Sequence, residues 1–525
     1  MTPPWPERPP SAAERAAYAD ATLRSYWLDS LRPRNPEPRL EDRVEADLCI
    51  VGGGYTGLWA ALHAMRRDPR RRVVVLEAGR CGEGASGRNG GFLDASLTHG
   101  LANGLARFPE EMHTLERLGL ENFDGLAADV ERLSIDAELE TPGYLQVAME
   151  PHELAGLQEA AGLAREYGGE ATVLSTEEIR EEVRSPLYLG AIWSRRGAGL
   201  VHPAKLADGL RRAAVAAGVS VFEHSPVLGI AAEGAGVRVS SAAGGAVSCA
   251  RALVGTSAYP AVPGVRAISR YVAPVYDYAL MTEPLGARLA DVGWQNRQGI
   301  GDGGNQFHYY RLSRDGRILF GGYDAVYRRG GPVADRLDDH DATFGRLSQH
   351  FFTVFPQLEG VRFTHRWGGA IDTCSRFSVC FGSELGGRVV WAVGYTGLGV
   401  GATRWGAEVA LDLLDGRDTE ATRLRFVRTR PLRFPPEPLR WAIIQLTRNR
   451  LAAADRREGR RGLWLGTLDR LGLGLRQLSR GAAARSRRRP CTDACRMRGA
   501  PARHRKRRER STDATQTDVH RGGRG

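Results

Sequence analysis

Gly52, Gly54 and Gly57 stand in G-x-G-x-x-G spacing within "CIVGGGYTGLWAALHAM", and Glu77 follows 20 residues after Gly57. Those residue types at that spacing suit a dinucleotide. The first glycine makes a tight turn, the second lets a pyrophosphate come against the backbone, and the third lets a helix close on a strand. The phosphates then meet free N–H groups at the positive end of a helix. Tyr55 and Thr56 fill the positions between and belong to the same contact. A carboxylate at 77, with Ala78 beside it, accepts hydrogen bonds from the hydroxyls of an adenosine ribose and disfavours a 2′-phosphate. NADP is therefore disfavoured, whereas NAD and FAD, which share an ADP half, both suit the site. The competing reading is a glycine turn that serves structure alone. The apolar strand before it and the helix after it weigh against that.

A second glycine turn, "CGEGASGRNGGF" at 81–92, comes soon after the first. A NAD-linked enzyme does not need one. A longer cofactor, continuing past its pyrophosphate, does. Gly84, Ala85 and Gly87 permit close backbone approach, and Ser86 and Arg88 can donate to phosphate. A structural surface arginine is the other reading of Arg88. A third turn, "AVGYTGLGVG", repeats the strand–glycine–helix design near 389–414.

Stepping outward, the elements that must hold these turns are legible. A strand over 46–51, a helix over 56–67 and a strand over 72–77 make a βαβ unit. Residues 1–43 read as an irregular arm with a short helix near 12–21. Residues 101–190 read as mostly helical. A helix over 202–217 ends at Gly218, where a left-handed cap belongs, and a strand over 219–223 follows. Alternation in "YVAPVYDYALM" and "FHYYRLSRDGRILFGGY" predicts an antiparallel sheet. The fold expected is α/β: a Rossmann-like cofactor domain with an α+β antiparallel-sheet substrate domain. Its expected division is 44–100, 191–262 and 361–420 for the cofactor, and 101–190 with 263–360 for the substrate. A helical extension over 421–480 follows, then a disordered basic tail over 481–525.

The 525 residues fit two or three domains. Ten of the twelve excess positive charges lie in 481–525, leaving +2 for the first 480 residues. Nucleic acid is thus expected to bind only non-specifically, through "RHRKRRER", with strong salt dependence. Seven scattered cysteines without framework spacing suggest free thiols in a reducing compartment. Cys491 and Cys495 lack a second pair at metal-site spacing, so no metal is expected. The first twenty residues lack the basic and apolar regions of a signal peptide, and no run of about twenty apolar residues occurs. The chain reads as cytoplasmic, without a membrane span.

Taken together, "CIVGGGYTGLWAALHA", "VVLEAG", "GASGRNGGF", "HPAKLADGL", "LVGTSAY", "YYRLSRDGRILFGG", "RWGGAID" and "VGYTGLGV" resemble the D-amino-acid oxidase superfamily of FAD oxidoreductases. The likeness runs over roughly 25–470 and is strongest to the amine-oxidising, gamma-glutamylputrescine oxidoreductase-like branch. It implies a FAD-binding domain of glutathione-reductase type. It implies that Gly84, Ala85, Ser86 and Gly87 wrap the pyrophosphate side of FAD, and that Arg88, Asn89, Gly90 and Gly91 run beside the ribityl chain and flavin ring. Val227 takes the position whose backbone holds the adenine end. Gly394, Gly397, Leu398, Gly399 and Val400 aim a helix N-terminus at the flavin pyrimidine edge, where reduction places negative charge. Many relatives carry a histidine where Leu398 stands, so backbone must serve here. Sarcosine-oxidase relatives attach flavin through a cysteine near "RWGGAIDTCSRFSVCFG", but neither Cys374 nor Cys380 matches clearly, and non-covalent FAD is expected.

The resemblance implies oxidation of an amine or amino acid to an imine by hydride transfer to flavin N5, then hydrolysis. The electrons pass to O2 or another acceptor. Such chemistry needs an aimed C–H bond and an apolar cage. Candidate cage residues are Tyr276, Tyr278, His308, Tyr309, Tyr310 and Trp367. Arg311 is the candidate partner for a substrate carboxylate. Core packing is the competing reading for each aromatic residue, and a salt bridge or surface position for Arg311. A NAD-linked dehydrogenase and a nucleic-acid-binding protein acting through the tail are the alternative functions.

Overall fold

A computed structural model describes residues 4–471 and 474. The basic tail expected to be disordered, and Cys491 and Cys495 within it, lie outside the described residues. Two large sheets organise the rest.

The first sheet has eight strands. Its parallel centre runs Val73–Leu76, Arg43–Val51, Ala246–Val254, Val389–Val393. Ser220–Phe222 extends one side in parallel, and Cys380–Glu384 closes the other antiparallel. The first half of Ala246–Val254 also pairs antiparallel with Gly236–Ser241, which pairs with Val227–Glu233. These central strands read as continuous apolar runs because both faces are covered. Leu48, Ile50, Val73 and Val75 pack under the helices Tyr55–Arg67, Pro203–Ala216 and Gly399–Asp415. Cys49, Val51, Val74 and Leu76 face the three-stranded meander. The helix Tyr55–Arg67 buries eleven of its 13 residues, so this βαβ unit lies inside the molecule.

The second sheet has nine strands, mostly antiparallel. Its centre is Ala273–Thr282, paired with Phe363–Thr373 on one side and Ile318–Gly322 on the other, followed by His308–Leu312. The helix Asp341–Val354 covers one face through Phe344, Leu347 and Phe351. The other face meets the glycine turns.

Gly190–Ser194, which straddles the expected boundary at 190, and Phe363–Thr373, in the segment 361–420, both pair in the nine-stranded sheet. The stretch 101–190 is mostly helical, as expected, but it also contributes two strands to that sheet, Tyr144–Ala148 and Ala171–Leu174. In the N-terminal arm the expected short helix is Ala12–Ala19, with a Ser11–Glu14 capping box; the arm is also tied to the core, since Thr22–Leu23 pairs with His365 and Arg366 and Trp27 is buried. Among the described residues no helix is long and apolar enough to cross a membrane.

Candidate cofactor and substrate site

The first turn is shaped by backbone crowding. Gly52 has φ +109°, and a Cβ there would lie 2.6 Å from the Gly255 carbonyl oxygen. A Cβ at Gly57 would lie 1.9 Å from the Gly52 carbonyl oxygen. Gly54 differs, since a Cβ would meet only Ser86 Oγ, at 3.0 Å. Gly54, at the N-cap, has no side chain to cap the helix that begins after it; Ser86 Oγ takes the first N–H, that of Tyr55, and the N–H groups that follow remain for a ligand. Glu77 accepts the N–H of Gly53 at 2.7 Å and of Gly79 at 2.9 Å. Desolvation in the cleft raises its carboxyl above the ordinary value, and the two donors oppose that shift. Each oxygen retains acceptor capacity for a ribose hydroxyl. Ala78 beside it is exposed.

The second turn is a short helix, Ala85–Arg88, open at Gly84 but closed at Gly87, where a Cβ would lie 2.4 Å from the Gly82 carbonyl oxygen. The nearest atom to a Cβ on Gly84 would be a Tyr259 ring carbon at 3.8 Å. Ser86 Oγ accepts the Tyr55 N–H at 2.9 Å and keeps its own hydrogen to donate. Asn89 closes the turn: its amide donates to the carbonyls of Ala85 and Ser86, and its Oδ1 accepts the Gly91 N–H. Arg88 does not stand free for phosphate. Its Nε donates to the Glu83 carbonyl, and its guanidinium pairs with Asp338.

The third turn hangs on a buried acid. Asp372 accepts the N–H of Gly394 at 2.7 Å and of Thr396 at 3.3 Å. Burial pushes its carboxyl up to about 7, against those donors. Gly394 and Gly397 have φ +90° and +91°, and a Cβ at Gly397 would touch nothing. Leu398 and Gly399 are half-buried, and no side chain caps the helix they begin. The Val400 side chain packs into the core, so only its backbone is available.

The three turns converge. Thr56 Oγ1 donates to the Tyr395 hydroxyl at 3.1 Å, joining first to third. Gly401 presses on the Asp94 carbonyl just beyond the second turn, where a Cβ would come within 2.4 Å. Thr256, beside Gly52, has a buried hydroxyl with no hydrogen-bond partner. An orphan donor, glycines with unfilled space and two uncapped helix starts fit the phosphates and flavin of FAD. Thr256 and Asp372 were missed by sequence reasoning. "LVGTSAY" held the only signal for Thr256. Val227 is half-buried at the start of the meander, two residues after Ser225, whose N–H donates to the Glu77 carbonyl.

The substrate candidates divide by strand parity. Tyr278, His308 and Tyr310 point to the face covered by Asp341–Val354, whereas Tyr276, of the same parity, lines a small cavity with Gly84, Ala85 and Arg88 of the second turn. The Tyr278 hydroxyl donates to the Leu337 carbonyl, and the Tyr310 hydroxyl bonds that of Tyr188 at 2.7 Å. His308 lies between Asp302 and His350. Tyr309 and Trp367 point the other way. A Cβ at Gly90 would meet the Tyr309 ring at 2.7 Å, and Trp367 Nε1 donates to the Arg88 carbonyl at 2.8 Å. Arg311 shares this side but is sealed, at 1% exposure. Its guanidinium donates to the carbonyls of Gly91 and Val201 and lies over the Trp27 ring, and burial lowers it to about 10. It forms neither a salt bridge nor a carboxylate clamp; it fixes the backbone at Gly91.

The family model described as FAD dependent oxidoreductase matches residues 47–413. The chain is 33% identical over 397 residues to gamma-glutamylputrescine oxidoreductase of Escherichia coli (strain K12), covering 75% of this chain and 89% of that protein. It is 29% identical over 402 residues to probable oxidoreductase OrdL of Haemophilus influenzae, again covering 75% and 89%. Among solved structures, glycine oxidase from Geobacillus kaustophilus has the same fold, with a TM-score of 0.59 at 22% identity, over 74% of this chain and 99% of that one.

Proposed function

Since the chain belongs to the FAD dependent oxidoreductase family, we propose that it oxidises the C–N bond of an amine to an imine, which water hydrolyses to a carbonyl compound. FAD, when bound, supplies the two-electron acceptor that takes a hydride from the carbon beside the nitrogen. The protein's part is to bind, orient and exclude water. Glu77 holds the ribose of the ADP half. The N–H groups after Gly54 and the hydroxyls of Ser86 and Thr256 meet the phosphates. The uncapped start of Gly399–Asp415 places positive potential where negative charge develops on reduction.

The observation that carries this reading is that the second turn lies directly on one face of the nine-stranded sheet. Gly90 abuts Tyr309, and a Cβ at Gly369 would stand 3.6 Å from the Arg88 Cβ. A cofactor led past this turn meets that face, so the eight-stranded sheet serves the cofactor and the nine-stranded sheet the substrate. The likeness to an Escherichia coli enzyme named for gamma-glutamylputrescine supports an amine. The sealing of Arg311 supports an amine over an amino acid. Non-covalent attachment is part of the reading, since the thiols of Cys374 and Cys380 are buried against the carbonyls of Ser378, Gly394 and Val393.

The test is a panel of primary, secondary and gamma-glutamyl amines beside amino acids, with the carbonyl product measured. Carbonyl formed faster from amines than from amino acids supports the reading; product from amino acids alone overturns it. Denatured protein is expected to release all its flavin through a filter. Flavin retained on the chain would contradict non-covalent binding.

A further inference from the structure

Across the ten residues of Ala273–Thr282, nine are buried and one keeps solvent access: Asp277. Across His308–Leu312 the one accessible residue is Tyr309. The two meet, with the Tyr309 hydroxyl donating to Asp277 Oδ2 at 2.7 Å. Asp277 is in register with Gly369, which is half-buried and abuts Arg88. Thus the face toward the second turn presents a carboxylate flanked by a phenol and a glycine that leaves room above it. A carboxylate in the middle of a buried strand destabilises the fold unless it is paired, and here no cation answers it. The two nearby arginines are committed elsewhere, Arg88 to Asp338 and Arg311 to backbone carbonyls.

We propose that Asp277, held by Tyr309, is the contact for the ammonium with which the substrate arrives and takes up its proton before hydride leaves the neighbouring carbon, so that the site selects amines that carry no carboxylate beside that nitrogen. This rests on the amine-oxidase reading above and specifies its substrate class. A substrate ammonium supplies the missing counter-charge in a place of low dielectric, where a charge-assisted hydrogen bond is strong. An amino-acid carboxylate would instead meet Asp277 with like charge. Groups acting on Asp277 are the donors Tyr309 and the N–H groups of Tyr278 and Gly322, and the nearby Asp324. Burial outweighs the donors and raises its carboxyl to about 6, so it is charged at neutral pH.

The test uses the holoenzyme and ligands that have no hydrogen on the carbon beside nitrogen, so that binding is read without turnover. Tert-butylamine and 2-aminoisobutyrate are titrated by calorimetry. The native protein is expected to bind tert-butylamine more tightly than 2-aminoisobutyrate. Asp277→Asn, similar in shape, is expected to weaken tert-butylamine by roughly tenfold or more, and Asp277→Glu to restore part of it. Tyr309→Phe removes a donor that favours the carboxylate, so binding is expected to fail at a higher pH than in the native protein as the solution is acidified. Equal affinity of native protein and Asp277→Asn for the amine overturns the proposal, as does tighter native binding of 2-aminoisobutyrate. Should Asp277→Asn fail to fold, the Tyr309→Phe pH profile decides: an unmoved acid limb overturns it. Failure of the amine-oxidase reading looks different, because then no amine in the panel yields a carbonyl product.

Discussion

A methyl group at position 57 would sit 1.9 Å from the Gly52 carbonyl oxygen, whereas one at position 54 meets only the Ser86 hydroxyl. The two substitutions therefore part ways. Gly57→Ala is expected to destabilise the protein by several kcal/mol, on the order of the large core disruptions, with little holoenzyme recovered. Gly54→Ala is expected to fold normally and to bind FAD at least tenfold more weakly, because the methyl fills space that suits pyrophosphate. Thermal unfolding of the flavin-free proteins and flavin titration separate the cases; equal behaviour would contradict the assignment. The tight turn of Gly52, Gly54 and Gly57, with Glu77 bonded beside it, was legible in the sequence because it follows from local backbone geometry. Asp277, Thr256 and Asp372 were not. Each is an ordinary polar residue whose meaning comes from burial and from neighbours distant in the chain.

Along one strand the lesson is parity. "YVAPVYDYALM" drew attention to its tyrosines, but alternate residues point to opposite faces. Tyr276 and Tyr278 pack with Phe344 under a helix, and the aspartate between them faces the cofactor turns. Sequence alternation revealed the strand without revealing which set faced the site. Tyr310→Phe is accordingly expected to lose about 1 kcal/mol of stability, from the bond to Tyr188, while kcat and flavin content stay unchanged. A collapse of kcat with stability intact would mean that Tyr310 touches the substrate. A second element, the 333–338 segment, is tied to the second turn by the Arg88–Asp338 pair. A small cavity lined by Gly84, Ala85, Arg88, Tyr259 and Asp338 lies at the junction. Asp338→Asn is expected to speed proteolytic cleavage within 333–338 roughly tenfold and to hasten loss of FAD. Unchanged cleavage would show that other contacts hold the segment.

Over the whole molecule, buried ionisable groups set the pH response. Burial raises the carboxyls of Glu116 and Asp372 to about 7 and of Glu153 to about 8, well above the unfolded value near 4. A raised carboxyl favours the folded state most at low pH, and that advantage fades as pH rises through the folded value. Burial lowers His63 and His202 to about 3 and His99 to about 4, so these oppose folding as pH falls below about 6.5. The unfolded histidines become neutral only as pH rises past about 7.5, and the Cys374 thiol, lowered to about 6, favours the folded state over the range in which the carboxyls disfavour it. One acid is isolated by comparison: the flavin-free Glu153→Gln variant is expected to gain melting temperature relative to the native protein as pH rises from about 6 to about 8; a constant difference over that range would contradict the buried placement of Glu153. The parallel sheet, its helices and the antiparallel sheet were foreseen from periodicity and glycine turns. The sheet partners of Gly190–Ser194 and Phe363–Thr373 were not, because no local pattern reveals those pairings.

The central claim is that three converging glycine turns seat FAD against a sheet face that receives an amine. Its most direct test is anaerobic mixing of the purified holoenzyme with amines, following the flavin absorbance. The account predicts that the visible flavin bands bleach, with one amine consumed per flavin. A protein without flavin, or a flavin that stays oxidised with every amine, would contradict it.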